Sequence, residues 1–195
     1  MTPAERKFAL MELDGSRERL LGTVRGLSRQ QLEYRTAPAR WSVAECLEHI
    51  IVVERLMFET LEGRMQQSPD SSRHGDWEGR DEALTKQMIV GRKQPKQAPE
   101  VFRPTGRWPT EKLLPEFEGV RGRTREFSAT FSGDLRSCFL AHPVIGQLDG
   151  YPWLLVVARH CERHRLQVEE VIASAGFRPQ SQKKTLRHQP SVSCA

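Results

Sequence analysis

Apolar residues recur at three- and four-residue steps in four separate stretches of this chain, a spacing that is typical of amphipathic helices. The stretches run from residue 3 to about 27, from 42 to about 65, from 110 to 131 and from 151 to 172. No stretch alternates apolar and polar residues convincingly enough to indicate a strand. The pattern therefore predicts an all-α fold, a four-helix bundle.

Local signals mark the ends of two of these helices. Ser42 and Glu45 have the spacing of a capping box at the start of the second helix. Asp149 is placed to cap the start of the fourth helix, and Gly176 is placed as the C′ residue that closes it. The segment 138–150 is interpreted as a connector between the third and fourth helices.

A long connection, residues 67–107, separates the second and third helices. It is rich in turn-forming residues, and a short helix is predicted within residues 82–90. An extended chain needs only about eleven residues to return along a helix of about 24 residues, so the second and third helices can run parallel. The predicted organisation is one bundle domain over residues 1–177 and a basic polar tail over residues 178–195.

The net charge of +5 is concentrated in two segments, 86–107 and 178–195, while the rest of the chain is mildly acidic. Neither basic segment interleaves aromatic residues with its charges as a single-strand binder would, so no nucleic-acid partner is expected. No apolar run is long enough for a membrane span, and the N-terminus lacks an apolar signal core. The sequence thus favours a cytoplasmic protein with free cysteines and a small-molecule substrate, and it is compatible with a homodimer.

Histidines occupy core-facing positions in two of the predicted helices. His160 and His164 lie one turn apart on the apolar stripe of the fourth helix, roughly 5–6 Å apart at Cβ, and can grip one metal ion. Solvated or structurally bonded pairs have the same spacing, which leaves that alternative open. His49 lies beside the apolar stripe of the second helix. His74, His142 and His188 fall in loops or the tail and are not expected to be ligands.

Two segments of the chain resemble the DinB/YfiT-like superfamily. The first segment covers residues 41–50, and the second covers residues 142–148 with Trp153 and residues 160–168. The resemblance spans roughly residues 5–175 and implies an up-down-down-up bundle with a long crossover between helices two and three. It also implies a divalent metal, often zinc or nickel, bound by the three histidines that match the family positions: His49, His160 and His164.

The activities known in this superfamily are transfer of low-molecular-weight thiols, thiol-dependent isomerisation and metal-dependent hydrolysis. Three neutral imidazoles leave at least one metal position open, as in catalytic sites. A metal there can lower the pKa of bound water toward about 7, or hold a thiol as thiolate. The favoured expectation is a thiol-dependent S-transferase with a low-molecular-weight thiol as cofactor. A metal-dependent hydrolase and a non-catalytic metal-binding protein remain alternatives.

Several residues are candidates for a supporting role around the metal. Glu45 lies one turn before His49, although its capping role explains it fully, and Gln167 could bond an outer imidazole nitrogen. Cys46 and Cys161 neighbour the histidines and are expected to be core residues. The basic residues of the crossover are predicted either to hold a carboxylate of the thiol or to be solvated; they are Arg92, Lys93, Lys96, Arg103 and Arg107.

Overall fold

The computed structural model describes residues 1–67, 72, 81–87, 97–143 and 145–177 of the chain. The four long helices are α1 (Pro3–Val24), α3 (Val43–Met65), α5 (Leu113–Thr130) and α6 (Gly150–Ile172). Two short helices, α2 (Arg29–Leu32) and α4 (Asp81–Thr85), lie in the connections. Two 3₁₀ turns, Glu100–Phe102 and Thr110–Lys112, precede α5, and a third, Leu135–Ser137, follows it. The predicted four-helix bundle is therefore confirmed. The tail 178–195 lies outside the described residues.

Side-chain contacts between the long helices establish the bundle topology. Helices α1 and α6 are parallel, because their contacts Glu12–Arg159 (2.5 Å) and Arg19–Glu162 (3.0 Å) advance in the same chain direction. Helices α3 and α5 are parallel for the same reason, through Arg55–Glu116 (3.1 Å) and Phe58–Phe127 (5.6 Å between ring centroids). Helices α3 and α6 are antiparallel, because their contacts His49–His160 (3.2 Å) and Met57–Trp153 (2.9 Å) run in opposite chain directions. Helices α1 and α5 are antiparallel through Arg17–Glu118 (3.2 Å) and Asp14–Arg125 (2.8 Å). The order is up-down-down-up, as expected, and the crossover lies between α3 and α5.

The segment between α5 and α6 is more regular than predicted. Strands β1 (Phe139–His142) and β2 (Gly146–Asp149) form an antiparallel hairpin in which Leu140 pairs with Leu148. Both leucines are buried, so one face of the hairpin closes an end of the apolar core. Gly146 has a φ of 86°, a left-handed conformation that favours glycine and suits a tight return. The segment connects α5 to α6 as interpreted, but the expectation that the chain contains no strand was wrong for residues 139–142 and 146–149.

The predicted helix starts agree with the structure, whereas one predicted end does not. Ser42 and Glu45 form a capping box, and the Asp149 side chain accepts from the Tyr151 N–H. Helix α6 ends at Ile172, and Gly176 is not among the described glycines with positive φ, so it is not a left-handed C′ residue. A Cβ on Gly176 would lie 2.2 Å from Tyr34 Oη, so the glycine allows close packing.

A buried ion pair divides the apolar core into two clusters. The Arg121 guanidinium donates two hydrogen bonds of 2.8 Å to the Glu54 carboxylate. The same guanidinium donates to the Leu13 carbonyl and to Ser16 Oγ on α1. Arg121 is fully buried and Glu54 is 2% exposed. One polar crosslink thus joins α1, α3 and α5 at mid-height, beside Cys161 of α6.

Candidate metal centre

Three histidines from two antiparallel helices converge at one place in the bundle. His49 lies on α3, and His160 and His164 lie one turn apart on α6. The Nε2 atoms of His49 and His160 are 3.2 Å apart, and one ligand atom from each of the three residues lies within 4.8 Å of the others. His49 and His164 are buried and His160 is half-buried. The three side chains that sequence predicted as ligands are therefore brought together.

In two of these imidazoles, the Nδ1 atom is hydrogen-bonded to a neutral oxygen atom outside the histidine group. The Nδ1–H of His49 donates to the Phe102 carbonyl at 2.7 Å, and the Nδ1–H of His164 donates to Gln167 Oε1 at 3.1 Å. A hydrogen bond to one ring nitrogen fixes which nitrogen carries the proton. In both rings the Nε2 atom is thereby left as the acceptor or ligand atom.

The surroundings of His49 and His160 favour the neutral form of these two imidazoles. Burial lowers the pKa of His49 below its ordinary value, and the hydrogen bond to the Phe102 carbonyl partly opposes this effect. Burial also lowers the pKa of His160 well below its ordinary value, and the charges of His164 and His49 act in the same direction. A neutral imidazole is the form that binds a metal ion.

The donor set fits a divalent ion such as zinc. Two nitrogens bound to one zinc ion at about 2.0–2.1 Å would lie roughly 3.3 Å apart. The 3.2 Å separation of His49 Nε2 and His160 Nε2 is close to this value, and the full set, within 4.8 Å, is somewhat wider. Without metal, His160 Nε2–H would donate to His49 Nε2 at the same distance. That pairing accounts for two of the rings and leaves the convergence of His164 unexplained.

Comparison with known proteins agrees with this fold. A family model described as the DinB superfamily matches residues 12–168. This chain belongs to the DinB superfamily. The solved structure of YfiT from Bacillus subtilis, described as a probable metal-dependent hydrolase with an unusual four-helix bundle topology, matches with a TM-score of 0.56. The match has 12% sequence identity and covers 88% of each chain, which shows a shared fold. No curated protein sequence matches this chain.

An indole forms one wall of the histidine site in this DinB superfamily protein. The ring of Trp41 lies 4.8 Å from the ring of His49 and 6.1 Å from the ring of His164, measured between centroids. Trp41 immediately precedes the N-cap residue Ser42, so the start of α3 places the indole beside the site. An aromatic wall excludes water and strengthens electrostatic interactions within the site.

The two predicted supporting residues have different surroundings. Gln167 accepts from the His164 Nδ1–H, as described above. Glu45 accepts from the Ser42 N–H at 2.8 Å and forms two hydrogen bonds with Arg35, at 2.8 and 2.7 Å. Its carboxylate therefore serves the cap of α3 and an ion pair.

Cysteines near the site belong to the core. Cys46 and Cys161 are fully buried members of one apolar cluster of the core. Burial raises the pKa of the Cys161 thiol to about 11, and its Sγ lies 3.7 Å from the Ser16 carbonyl. A protonated thiol is a poor nucleophile and a poor ligand. Among the described residues, Cys46, Cys138 and Cys161 form no disulfide, and Cys194 lies outside the described residues.

The structure describes some, but not all, of the remaining histidines and of the basic residues in the crossover. His142 ends β1 outside the group of three, with its ring 5.9 Å from the Trp153 ring. Arg103 donates to the Ala98 carbonyl, and the Arg107 guanidinium lies 5.6 Å from the Trp108 ring centroid. His74, His188, Arg92, Lys93 and Lys96 lie outside the described residues.

Every helix within the described ranges is too short or too polar to cross a membrane.

Two features beside His49 were missed by sequence reasoning. The Phe102 carbonyl is a backbone atom, and no side-chain pattern identifies it as a histidine partner. Glu48 is 3% exposed, and its carboxylate accepts hydrogen bonds from the backbone of residues 105–107. Its position one residue before a candidate ligand was the available signal, but an isolated glutamate on a helix normally indicates a solvated surface.

Proposed function

We propose that this protein is a metal-dependent enzyme in which His49, His160 and His164 hold one divalent ion. The observation that carries the proposal is the 3.2 Å separation of His49 Nε2 and His160 Nε2, with both outer hydrogen bonds directing Nε2 of His49 and His164 inward. A bound divalent ion would supply Lewis acidity and a nucleophile at neutral pH, either from water or from a thiol.

The residues of the site suit this chemistry because none of the three donors carries a charge. Their identified outer partners, the Phe102 carbonyl and the Gln167 amide, are neutral as well. Such a donor set leaves the positive charge of a divalent ion available to an anionic ligand. Trp41 shields the imidazoles on one side and limits the approach of bulk water.

Hydrolysis of a small electrophilic substrate is the first candidate reaction. Its support is the shared fold with YfiT, which is described as a probable metal-dependent hydrolase, together with the three-histidine group. Thiol-dependent S-transfer is the second candidate. Its support is that residues 102–107 of the crossover contact α3, the helix that carries His49. The same segment includes Arg103 and Arg107, which could meet an anionic thiol.

The test begins with purified protein loaded separately with zinc and with nickel. Metal content is measured, and turnover is followed on small ester, amide and aryl halide substrates, with and without a low-molecular-weight thiol. Turnover without thiol supports hydrolysis, whereas turnover only with thiol supports S-transfer. Stoichiometric metal without turnover on any substrate indicates a metal-binding protein. Failure to bind either metal overturns the proposal.

A further inference from the structure

We propose that Glu48 is a positioning residue that couples the crossover segment to the metal site by fixing the direction and tautomer of His49. This inference rests on the proposed metal site. The hydrogen bonds of the Glu48 carboxylate run to residues 105–107 of the crossover. Glu48 acts through residues 102–107, which connect its carboxylate to the carbonyl that accepts from His49.

The carboxylate of Glu48 is the anchor of this segment. It accepts from the Thr105 N–H at 2.8 Å, the Gly106 N–H at 2.9 Å and the Arg107 N–H at 3.2 Å, and from Thr105 Oγ1 at 3.3 Å. Three successive N–H groups that converge on one anion form a backbone nest. Gly106 has a φ of 73°, and this left-handed conformation allows the nest to form.

The same segment supplies the hydrogen-bond partner of His49. The Phe102 carbonyl lies three residues before the nest, a short tether of at most about 10 Å. On its other side a 3₁₀ turn over Glu100–Phe102 and the partly buried Phe102 side chain hold the backbone against the bundle. Fixing residues 105–107 therefore limits where the Phe102 carbonyl can lie.

The tautomer of His49 depends on that carbonyl. A neutral imidazole in water favours the Nε2–H form, whereas His49 donates from Nδ1 and thus leaves Nε2 bare. If the segment moves away, Nδ1–H loses its acceptor and the Nε2–H form becomes populated, which removes a ligand atom. Because the coupling is reciprocal, metal bound through His49 Nε2 should in turn hold the segment in place.

The chain offers two variants that disrupt the nest from opposite sides and one matched control. Glu48→Gln removes the charge on α3. Gly106→Ala strains the left-handed backbone on the segment, and the added Cβ would meet nothing within 4 Å. The control is Glu54→Gln, which removes another buried carboxylate of the same helix that bonds Arg121 and not the crossover.

Three measurements are made on each protein. Nitrogen NMR of labelled histidine in metal-free protein at one fixed pH reports the His49 tautomer. Amide hydrogen exchange reports the protection of Thr105, Gly106 and Arg107, with and without zinc. Competition with a chromophoric chelator reports the zinc dissociation constant.

We expect Glu48→Gln and Gly106→Ala to populate the Nε2–H tautomer of His49, to speed exchange at residues 105–107 and to weaken zinc binding by about 10-fold. Zinc should slow exchange at these residues in the wild type. Glu54→Gln should lower the melting temperature without these three effects. If Glu48→Gln does not fold, Gly106→Ala decides the question.

The inference is overturned if the segment loosens while the His49 tautomer and zinc affinity stay as in the wild type. It is also overturned if Glu54→Gln has the same three effects. If the wild type binds no zinc, the proposed function fails, yet the tautomer and exchange measurements on metal-free protein still decide the role of Glu48.

Discussion

The Nε2 atoms of His49 and His160 lie 3.2 Å apart although their helices run in opposite directions. A second contact between the same helices sets this register, because the Trp153 indole donates to the Met57 carbonyl at 2.9 Å. Met57 and Trp153 lie two helical turns from His49 and His160, respectively, a distance of roughly 11 Å along each axis. The convergence of the histidines is therefore a consequence of how α3 and α6 pack.

The first prediction concerns the three histidines. We expect His49→Ala, His160→Ala and His164→Ala each to abolish stoichiometric binding of zinc or nickel, because two remaining imidazoles cannot replace a three-donor site. Helicity should be retained, since the apolar clusters that hold the helices are unchanged. Elemental analysis and circular dichroism measure the two quantities.

The matched control for these variants is His142→Gln, which changes a histidine of the hairpin outside the group of three. This variant should keep its metal. If all three alanine variants kept their full metal content, the ion would have to bind elsewhere in the protein.

The second prediction concerns the amide that orients His164. Gln167→Leu removes the acceptor of the His164 Nδ1–H, and we expect metal affinity to fall about 10-fold. Gln167→Glu places a carboxylate at this position. The carboxylate makes the His164 imidazole a more basic metal ligand, so the metal affinity should be at least that of the wild type. Chelator competition measures both. Equal affinities in the three proteins would mean that Gln167 does not support the site.

The third prediction concerns the buried ion pair of the core. Arg121→Met leaves the Glu54 carboxylate buried without its partner, and we expect a loss of about 3–5 kcal/mol in the free energy of unfolding. Arg121→Met combined with Glu54→Met removes both charges and should recover a large part of this loss. Urea unfolding of metal-free protein measures each value.

If the double variant lost as much free energy of unfolding as Arg121→Met and Glu54→Met lose together, this account would be wrong. The cost would then come from packing or from the Leu13 and Ser16 contacts, and not from an unpaired charge.

The long helices and the histidine group could be predicted from sequence because periodic apolar residues and a capping box are local signals. Ser42 and Glu45 mark the start of α3 within four residues, and His160 and His164 share a face whatever packs against it. The length of the crossover allowed α3 and α5 to run parallel, and the resemblance to the DinB/YfiT-like superfamily implied that they do.

What sequence did not show depends on contacts between distant residues. Arg121 and Glu54 each lie one residue from an apolar position, so each resembles a surface charge until the two helices meet. Glu48 has the same ambiguity, and its partners are backbone groups more than fifty residues away. The hairpin is short, and the buried Leu140 and Leu148 are too few to display an alternating pattern.

The last prediction concerns the N-cap of α6. Asp149 is 1% exposed, accepts from Arg136 Nη1 at 2.9 Å and accepts from the Tyr151 N–H. Burial raises its pKa to about 6 even though the positive charge of Arg136 acts in the opposite direction. Arg136 is shared with Glu5 and Asp81, so its charge stabilises several carboxylates at once.

The consequence for stability follows from linkage. The carboxyl ionises near pH 3.9 in the unfolded chain and near 6 in the folded protein, so the folded state binds the proton more tightly. The contribution of Asp149 is therefore most favourable below about pH 4 and falls by roughly 3 kcal/mol as the pH rises to about 6. Asp149→Asn retains the capping oxygen and removes the titration.

We expect the free energy of unfolding of metal-free wild type, relative to Asp149→Asn, to decrease between about pH 4 and 6 and to be level above that range. Urea unfolding at several pH values measures the difference. The buried histidines titrate in an overlapping range with the opposite slope, because their pKa values are lowered, and this effect cancels since both proteins contain them. A difference that stays constant from pH 4 to 7 would mean that Arg136 keeps Asp149 ionised throughout, so that the ion pair outweighs burial at the start of α6.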